Sequence, residues 1–273
     1  LIDHAMRQSH VPPGFWRGVN INQNAVFIEC FMDELAEAAG KDPVEFRRQF
    51  MGPHPRNLAV MNAVADRIGW TKPAPAGVHR GIAQMKAFNS FVAAACELTV
   101  KDNKVKIHRI VAATDCGYAV NPAQIERQVS GSFVYGLSAL FMQECTVKDG
   151  AIEQKNFDTY QSMRIAQMPK VECIVMPSGG SEPWGGVGEP TICVVVPAVG
   201  TMVVPSSNQH WLLGMLTCDA TRQFKPRASM NLSPLAAAAW NVAASSVVPS
   251  LFSTPYLRSG LKRRIAPPTV AEP

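Results

Sequence analysis

The sequence predicts a mixed α+β fold in which antiparallel strand pairs pack against helices. Three observations support this class. Apolar residues recur at helical spacing before residue 70, and from Gly81 the chain becomes rich in Val, Ile, Phe and Thr between turn residues. A further helical pattern opens at Pro122. The strands are predicted as antiparallel pairs and not as a βαβ repeat, and no Walker loop or dinucleotide-binding fingerprint follows a predicted strand.

Three helices are predicted in the first part of the chain. The first places apolar residues on one face and ends at Gly40; its apolar positions are Ala25, Ile28, Met32, Leu35 and Ala39. The run Asp42-Pro43-Val44-Glu45 has the residue types of a helix start and predicts a short helix to about Met51. A third, amphipathic helix is predicted over residues 58–68, ending at Gly69.

The strands are predicted from β-branched and aromatic content. Residues 82–100 and 105–113 are predicted to form one antiparallel pair, joined by turn residues at 101–104. A second pair is predicted on either side of Asp149-Gly150, a dipeptide typical of tight hairpins. Residues 170–176 predict one more strand.

Two more helices are predicted, and the hydrophobic pattern of the sequence changes after them. One helix is predicted from Pro122 to about Leu140, and another begins after Pro197. Periodicity is poor from Thr201 onward, where Ser, Pro and Ala tracts alternate with isolated Trp and Leu. We therefore divide the chain into residues 1–200, one structural portion, and residues 201–273, a divergent tail expected to be poorly ordered.

Composition excludes several classes of function. The net charge of +5 is mild, and the densest basic run, Lys262-Arg263-Arg264, is too short for a nucleic-acid surface. No uninterrupted apolar stretch reaches the ~18 residues that a membrane-spanning helix needs. The cysteines show no CxxC pair, which favours buried free thiols in a reducing compartment and gives no metal site; they are Cys30, Cys96, Cys116, Cys145, Cys173, Cys193 and Cys218.

One carboxylate is presented by an unusual backbone. Glu189 follows Gly185-Gly186-Val187-Gly188 and precedes Pro190, so glycine freedom and the fixed φ of proline specify its position. An apolar run follows it. A lone acid against apolar surroundings is a candidate general base. The alternative is a solvated glutamate on a glycine turn.

Two further segments have a distinctive composition. Residues 14–24 form a glycine-flanked loop around Arg17 that leads into the first predicted helix. Residues 115–122 end a strand, and residues 128–137 place small residues along the helix that follows.

In this order the three segments resemble the C-terminal part of the large, molybdopterin-binding subunit of the xanthine oxidase and aldehyde oxidoreductase superfamily. The branch that looks most similar includes isoquinoline oxidoreductase beta subunits and membrane-bound aldehyde dehydrogenases. The resemblance covers residues 11–200. Family members are far longer, and the chain starts without a methionine, so we expect a fragment. The unmatched residues after Gly200 suggest a partial or frameshifted gene product.

The resemblance implies roles for seven residues. Glu189 matches the glutamate that deprotonates a hydroxyl group on molybdenum, and Arg17 matches an arginine beside the metal centre that orients substrate or stabilises oxyanion charge. The implied cofactor-binding positions are Gln128, which would bond the oxygen ligands of molybdenum, together with Gly131, Gly186, Gly188 and Gln23.

The resemblance also implies cofactors and partners. The cofactor would be molybdopterin in its cytosine dinucleotide form, and [2Fe–2S] clusters would lie in a partner subunit. The substrate would be an aldehyde or an N-heterocycle, hydroxylated with water-derived oxygen. Electrons would pass to an iron–sulfur small subunit and to a cytochrome c subunit. The location is left open between the cytoplasm and the periplasm, including attachment to the inner membrane through a partner.

Two other functions stay open at this point. The chain could be a non-catalytic remnant that keeps the fold and subunit contacts without the cofactor, or an α/β binding module without redox activity. Single residues have ordinary explanations too. Arg17 beside Trp16 could be a stacked surface pair, and Gln128 could be an exposed helix residue. The six histidines share no spacing and receive no role.

Overall fold

The computed structural model of the protein describes residues 14–102, 104–177 and 183–203, all within the compact unit Gln8–Met230. Its elements in chain order are α1 Ile21–Ala38, α2 Pro43–Arg48, α3 Pro55–Ile68, β1 His79–Ala87, β2 Ser90–Lys101, β3 Lys104–Asp115, α4 Pro122–Phe141, β4 Val147–Lys148, β5 Ala151–Ile152, β6 Lys170–Val175 and α5 Ile192–Val203. The predicted α+β class is confirmed.

The first four predicted helices are present, and the signals that define their ends act as expected. The Asp42 carboxylate accepts the N–H groups of Val44 and Glu45 and so caps α2. Gly40 and Gly69 follow α1 and α3 with φ of 63° and 77°, the left-handed conformation that ends a helix. The α1 helix starts at Ile21, four residues before the first apolar position used to predict it.

The predicted single strand over residues 82–100 is wrong, because this segment folds back as the β1–β2 hairpin. Phe88 and Asn89 form the turn, with φ of 50° and 61°. Asn tolerates this conformation well and Phe poorly, so the dipeptide is a weak turn signal. The β2 strand is buried on both faces, which removes the alternation that would mark its start.

The sheet has the order β1-β2-β3-β6 and is mixed. The pairs β1–β2 and β2–β3 are antiparallel, whereas β6 lies parallel to β3 at the edge, after a crossover that contains α4. The second predicted pair is present as β4 and β5, two residues each, with Asp149 and Gly150 at positive φ between them.

Helices cover both faces of this sheet, so the core consists of two apolar clusters. Alternate β2 residues contact opposite layers: Ala94, Cys96 and Leu98 join the cluster that includes α4 and α5. Ala93 and Ala95 join the cluster built on α2 and α3. The sheet is therefore the middle layer of an α/β/α arrangement.

The start predicted for the last helix is wrong. The α5 helix begins at Ile192, five residues before Pro197, and the proline lies inside it. Proline removes one backbone donor within a helix. Burial offsets this loss, because residues on every side of α5 are inaccessible: Ile192, Cys193, Val194, Val195, Ala198 and Val199.

A buried ion network joins α1 to α2 and β1. Arg47 is 1% exposed, and its guanidinium donates to Glu29, 1% exposed, at 3.1 Å and to the Asp33 carboxylate. Glu29 also accepts the backbone N–H of Gln84 at 3.1 Å. Burial raises the pKa of Glu29, while Arg47 and this N–H oppose the rise. The network fixes the orientation of α1, the helix that follows the Arg17 loop.

Several sequence predictions fall on residues beyond the described ranges. These include the part of the 201–273 tail that follows Val203, with the basic run at 262–264 and Cys218. Among the described residues, the other six cysteines are free thiols. No helix in those ranges combines the length and apolar character needed to cross a bilayer.

The buried network predicts a large stability effect at Arg47. Arg47→Met leaves the Glu29 and Asp33 carboxylates buried without their cation, so we expect unfolding free energy to fall by about 3–5 kcal/mol. Arg67→Met, at a residue 58% exposed and paired with Glu172, is the matched control and should cost less than about 1 kcal/mol. Urea denaturation of both variants measures this; equal losses would contradict the assignment.

Candidate active site

The loop before α1 makes a tight left-handed turn. Gly18 and Val19 have φ of 88° and 50°, and Val19 N–H donates to the Trp16 carbonyl at 2.9 Å. Gly18 is required here for space as well as conformation, because a Cβ on it would lie 2.4 Å from Asn22 Oδ1 and 2.7 Å from Ile192 Cγ2. The turn directs Arg17 and the Gly18 N–H toward the segment that carries Glu189.

Arg17 connects three parts of the chain. Its Nε donates to the Gly188 carbonyl at 2.7 Å, and its Nη2 donates to Gln128 Oε1 at 2.7 Å and to the Gln128 carbonyl at 3.3 Å. The guanidinium carbon lies 5.4 Å from the centre of the Tyr135 ring, on the same helix as Gln128. Arg17 is therefore held by hydrogen bonds and a ring contact and is not the Trp16 surface pair considered above.

Glu189 lies directly before α5 and contacts the same loop. Its Oε1 accepts the Gly18 N–H at 3.0 Å, and its carbonyl accepts the Ile192 N–H at 3.3 Å. The side chain is half-buried and Pro190 is buried. One carboxylate and one guanidinium thus meet at a backbone specified by Gly18 on one side and Pro190 on the other.

The glycine run before Glu189 is fastened to the β1–β2 hairpin turn. Gly186 N–H donates to the Phe88 carbonyl at 2.8 Å, and the Ser90 hydroxyl donates to the Gly186 carbonyl at 2.5 Å. Gly185 leaves no room for a side chain, since a Cβ would lie 2.3 Å from Ser90 Oγ. Glycine at this position lets the backbone of the glycine run approach the backbone of the hairpin turn closely.

The turn after β3 forms a second support for the glycine run. The Cys116 carbonyl accepts the Gly185 N–H at 2.9 Å. Asp115 accepts the Gly117 N–H at 3.0 Å and binds the Arg56 guanidinium through both oxygens. Burial alone would raise the pKa of Asp115, but the hydrogen bonds from Arg56 and Gly117 lower it overall. This carboxylate is a structural anchor.

Helices α4 and α5 set the distance between Gln128 and Glu189. The buried hydroxyls of Ser132 and Thr191 lie 2.7 Å apart, and Ser132 also donates to the Val129 carbonyl at 2.7 Å. At Gly136 the helices touch so closely that a Cβ would lie 2.5 Å from Val195 Cγ1. These contacts fix the helix of Gln128 against the helix that starts after Glu189.

The electrostatics of the site follow from partial burial. Burial lowers the pKa of the Arg17 guanidinium, while the neighbouring Tyr135 and Glu189 act in the opposite direction. Arginine stays protonated under such shifts. Burial and the nearby Glu189 charge raise the pKa of the Cys193 thiol to about 12, so this cysteine is a neutral neighbour.

Two glycines beside Arg17 border space that the described residues leave open. A Cβ at Gly188 would meet no atom within 4 Å, and a Cβ at Gly131 would meet only Arg17 Nη1, at 3.9 Å. Neither glycine has a positive φ. The described part of the protein thus gives no internal reason for glycine at either position. The arrangement suits a group held against the backbone beside Arg17 and Gln128.

The structure brings most of the predicted site residues together. Arg17 donates to Gly188 and Gln128, and Glu189 accepts the N–H of Gly18, the residue next to Arg17. Gly131 lies beside Arg17. Gly186 lies two residues before Gly188, where its N–H donates to the Phe88 carbonyl of the β1–β2 turn. Gln23 is exposed in the first turn of α1, and the hydrogen bonds described for this cluster pass through the adjacent residue, Asn22.

Sequence reasoning misses three contributors to the site. Tyr135 could have been found, because it lies seven residues after Gln128 and hence on the same helix face. Asn22 and the Ser132–Thr191 pair give no local signal, since their role depends on contacts between distant segments.

The family model of the molybdopterin cofactor-binding domain matches residues 32–169, half of the chain. The chain belongs to this family. The predicted resemblance is therefore confirmed. The matched residues include Gln128 and Gly131, both on α4.

Curated relatives extend the match beyond the family model. The chain is 26% identical over 214 residues to the isoquinoline 1-oxidoreductase beta subunit of Brevundimonas diminuta, covering 77% of this chain and 27% of that protein. It is 26% identical over 212 residues to the membrane-bound aldehyde dehydrogenase (pyrroloquinoline-quinone) of Gluconacetobacter polyoxogenes, covering 70% and 27%. The chain thus spans about a quarter of the length of these relatives.

A solved structure shows the same fold. The aldehyde oxidoreductase of Desulfovibrio gigas superposes with a TM-score of 0.50 over 69% of this chain and 39% of the other, at 12% identity. Identity this low supports the fold alone.

Proposed function

We propose that this chain is part of the catalytic subunit of a molybdenum hydroxylase that oxidises an aldehyde or an N-heteroaromatic compound with water-derived oxygen. The observation that carries the proposal is that three separate segments meet at the 17–18 loop: Arg17 donates to Gln128, and Gly18 donates to the Glu189 carboxylate. The relatives named for isoquinoline and aldehyde oxidation support the two substrate classes. Membership of the cofactor-binding family supports the redox chemistry.

We assign the cofactor to the open space beside Arg17. Gly131 and Gly188 would let it approach the backbone, and Gln128 presents an exposed amide next to them. Gly186 and Gln23 complete the proposed set. Bound there, the molybdopterin group, in its cytosine dinucleotide form, would supply a site that accepts electrons from the substrate.

In this proposal Glu189 is the general base and Arg17 the orienting cation. Glu189 Oε1 is occupied by the Gly18 N–H, so Oε2 is the atom assigned to accept a proton. Arg17 uses Nε and Nη2 to hold Gly188 and Gln128, which leaves Nη1 on the side of Gly131 for a negatively charged oxygen. Both side chains are already oriented before substrate binds.

The proposal includes the partners expected from the sequence. Two relatives are themselves named as subunits: the isoquinoline oxidoreductase chain and a chain of the nicotinate dehydrogenase of Pseudomonas putida, 25% identical over 194 residues. An assembly of several chains suits a reaction that must export electrons. We assign this export to an iron–sulfur small subunit with [2Fe–2S] clusters and onward to a cytochrome c subunit.

The first test removes the proposed base. Glu189→Gln keeps the size of the side chain and its acceptor for Gly18 but cannot take up a proton at neutral pH. We expect turnover of the complete enzyme to fall by roughly 10²–10⁴-fold with molybdenum content unchanged. Glu126→Gln, at an exposed residue of α4, is the control and should keep full turnover. Wild-type turnover in Glu189→Gln would refute the role.

The second test compares two glycines of α4. Gly131→Ala should fold normally, since its Cβ meets only Arg17 at 3.9 Å, but should lower the molybdenum content of the purified protein by filling the proposed cofactor space. Gly136→Ala forces α4 from α5 and should cost roughly 1–3 kcal/mol of stability. Metal analysis and thermal melting separate the two effects. Full molybdenum content in Gly131→Ala would rule out this placement of the cofactor.

A further inference from the structure

Asn22 holds the loop that carries Arg17 and Gly18. Its Nδ2 donates to the Arg17 carbonyl at 2.6 Å and to the Val19 carbonyl at 3.3 Å, so one amide bridges both ends of the left-handed turn. Asn22 lies in the first turn of α1, and α1 is fixed by the Arg47 network. The side chain therefore ties an irregular loop to a helix that is itself fixed by packing.

The turn is strained and needs such a contact. Val19 has φ of 50°, a strained conformation that β-branched residues rarely adopt. Val19 is also exposed, so packing does little to hold it. Without the Asn22 amide, the loop gains by relaxing toward ordinary backbone angles. Relaxation would turn the Gly18 N–H away from Glu189.

The amide oxygen of Asn22 differs from its nitrogen, because it gains no hydrogen bond in this position. Asn22 Oδ1 is buried and has no hydrogen-bond partner within the part of the chain that the structure describes. Leaving a buried acceptor unpaired is unfavourable. Reversing the amide would place this oxygen against the Arg17 and Val19 carbonyls, so the observed orientation is the one that supplies a donor where the turn needs it.

We infer that Asn22 is a positioning residue for the reaction, acting through the Gly18 turn on Glu189 and Arg17. The Gly18 N–H fixes one Glu189 oxygen and thereby directs the other, and the same turn sets the origin of the Arg17 side chain. The inference rests on the function proposed above, in which Glu189 is the base. It adds a residue whose amide bonds the Arg17 and Val19 carbonyls and acts on Glu189 through Gly18.

The test uses the complete enzyme with Asn22→Ala and Asn22→Asp. Asn22→Ala removes the donor, so it should lose roughly tenfold in kcat while molybdenum content and melting temperature stay near wild type. Asn22→Asp keeps the size of the side chain but places a carboxylate oxygen against the two carbonyls, so its kcat should fall at least as far. The matched control is Asn20→Ala, an exposed asparagine of the same loop whose side chain makes no capping hydrogen bond. It should keep wild-type kcat.

A second readout does not depend on activity. Hydrogen exchange measured by mass spectrometry on peptides spanning residues 16–24 should be about tenfold faster in both Asn22 variants and unchanged in Asn20→Ala. Unchanged exchange in the Asn22 variants would overturn the inference, as would an Asn22→Asp enzyme with full kcat. A loss of kcat in Asn22→Ala that is matched by a loss of melting temperature would overturn it too. If Glu189→Gln proves active, the proposed function fails, while the exchange data still decide whether Asn22 holds the turn.

Discussion

The hydrogen bonds from the 17–18 loop to Gly188 and Glu189 fasten together two segments 171 residues apart in sequence. The geometry of the site depends on this junction. The loop supplies a guanidinium and a backbone N–H, and the glycine run supplies a carbonyl and a carboxylate. Because each side satisfies the polar groups of the other, neither segment needs a regular secondary structure to be well placed.

The rest of the fold holds the two sides of this junction still. On one side, α1 is anchored through Arg47 and Glu29, which are buried and paired. On the other, the glycine run is fixed by Phe88, Ser90 and Cys116, and α5 lies in the apolar core. Helix α4 brings Gln128 from a third direction through its contacts with α5. Rigid elements thus position Arg17 and Glu189, which themselves lie in loops.

Local chemistry explains which parts of this structure can be predicted from sequence. Capping by Asp42 and the stops at Gly40 and Gly69 depend on neighbouring residues only, and the helices they define are present. The β1–β2 turn escapes prediction because β2 is buried on both faces, so its pattern does not alternate. Pro197 misleads because tertiary burial of α5 outweighs the cost of a proline inside a helix.

The candidate site, too, has a part that local sequence predicts and a part that it does not. Glycine spacing and a single carboxylate point to Glu189, and family resemblance adds Arg17 and Gln128. The contacts that bring these residues together join segments that are far apart in the sequence. Hydrophobic periodicity reports only local structure, so it cannot predict them. Asn22 is the clearest case, because its importance depends on the φ angles of Gly18 and Val19 and on where α5 begins.

An experimental structure of the complete protein with its cofactor bound is the most direct test of the proposed site. We expect the cofactor to contact the backbone at Gly131 and Gly188 and the Gln128 amide, with Glu189 still accepting the Gly18 N–H. A side chain from elsewhere in the full-length protein filling the space beside these glycines, with the cofactor bound at a different surface, would contradict this placement.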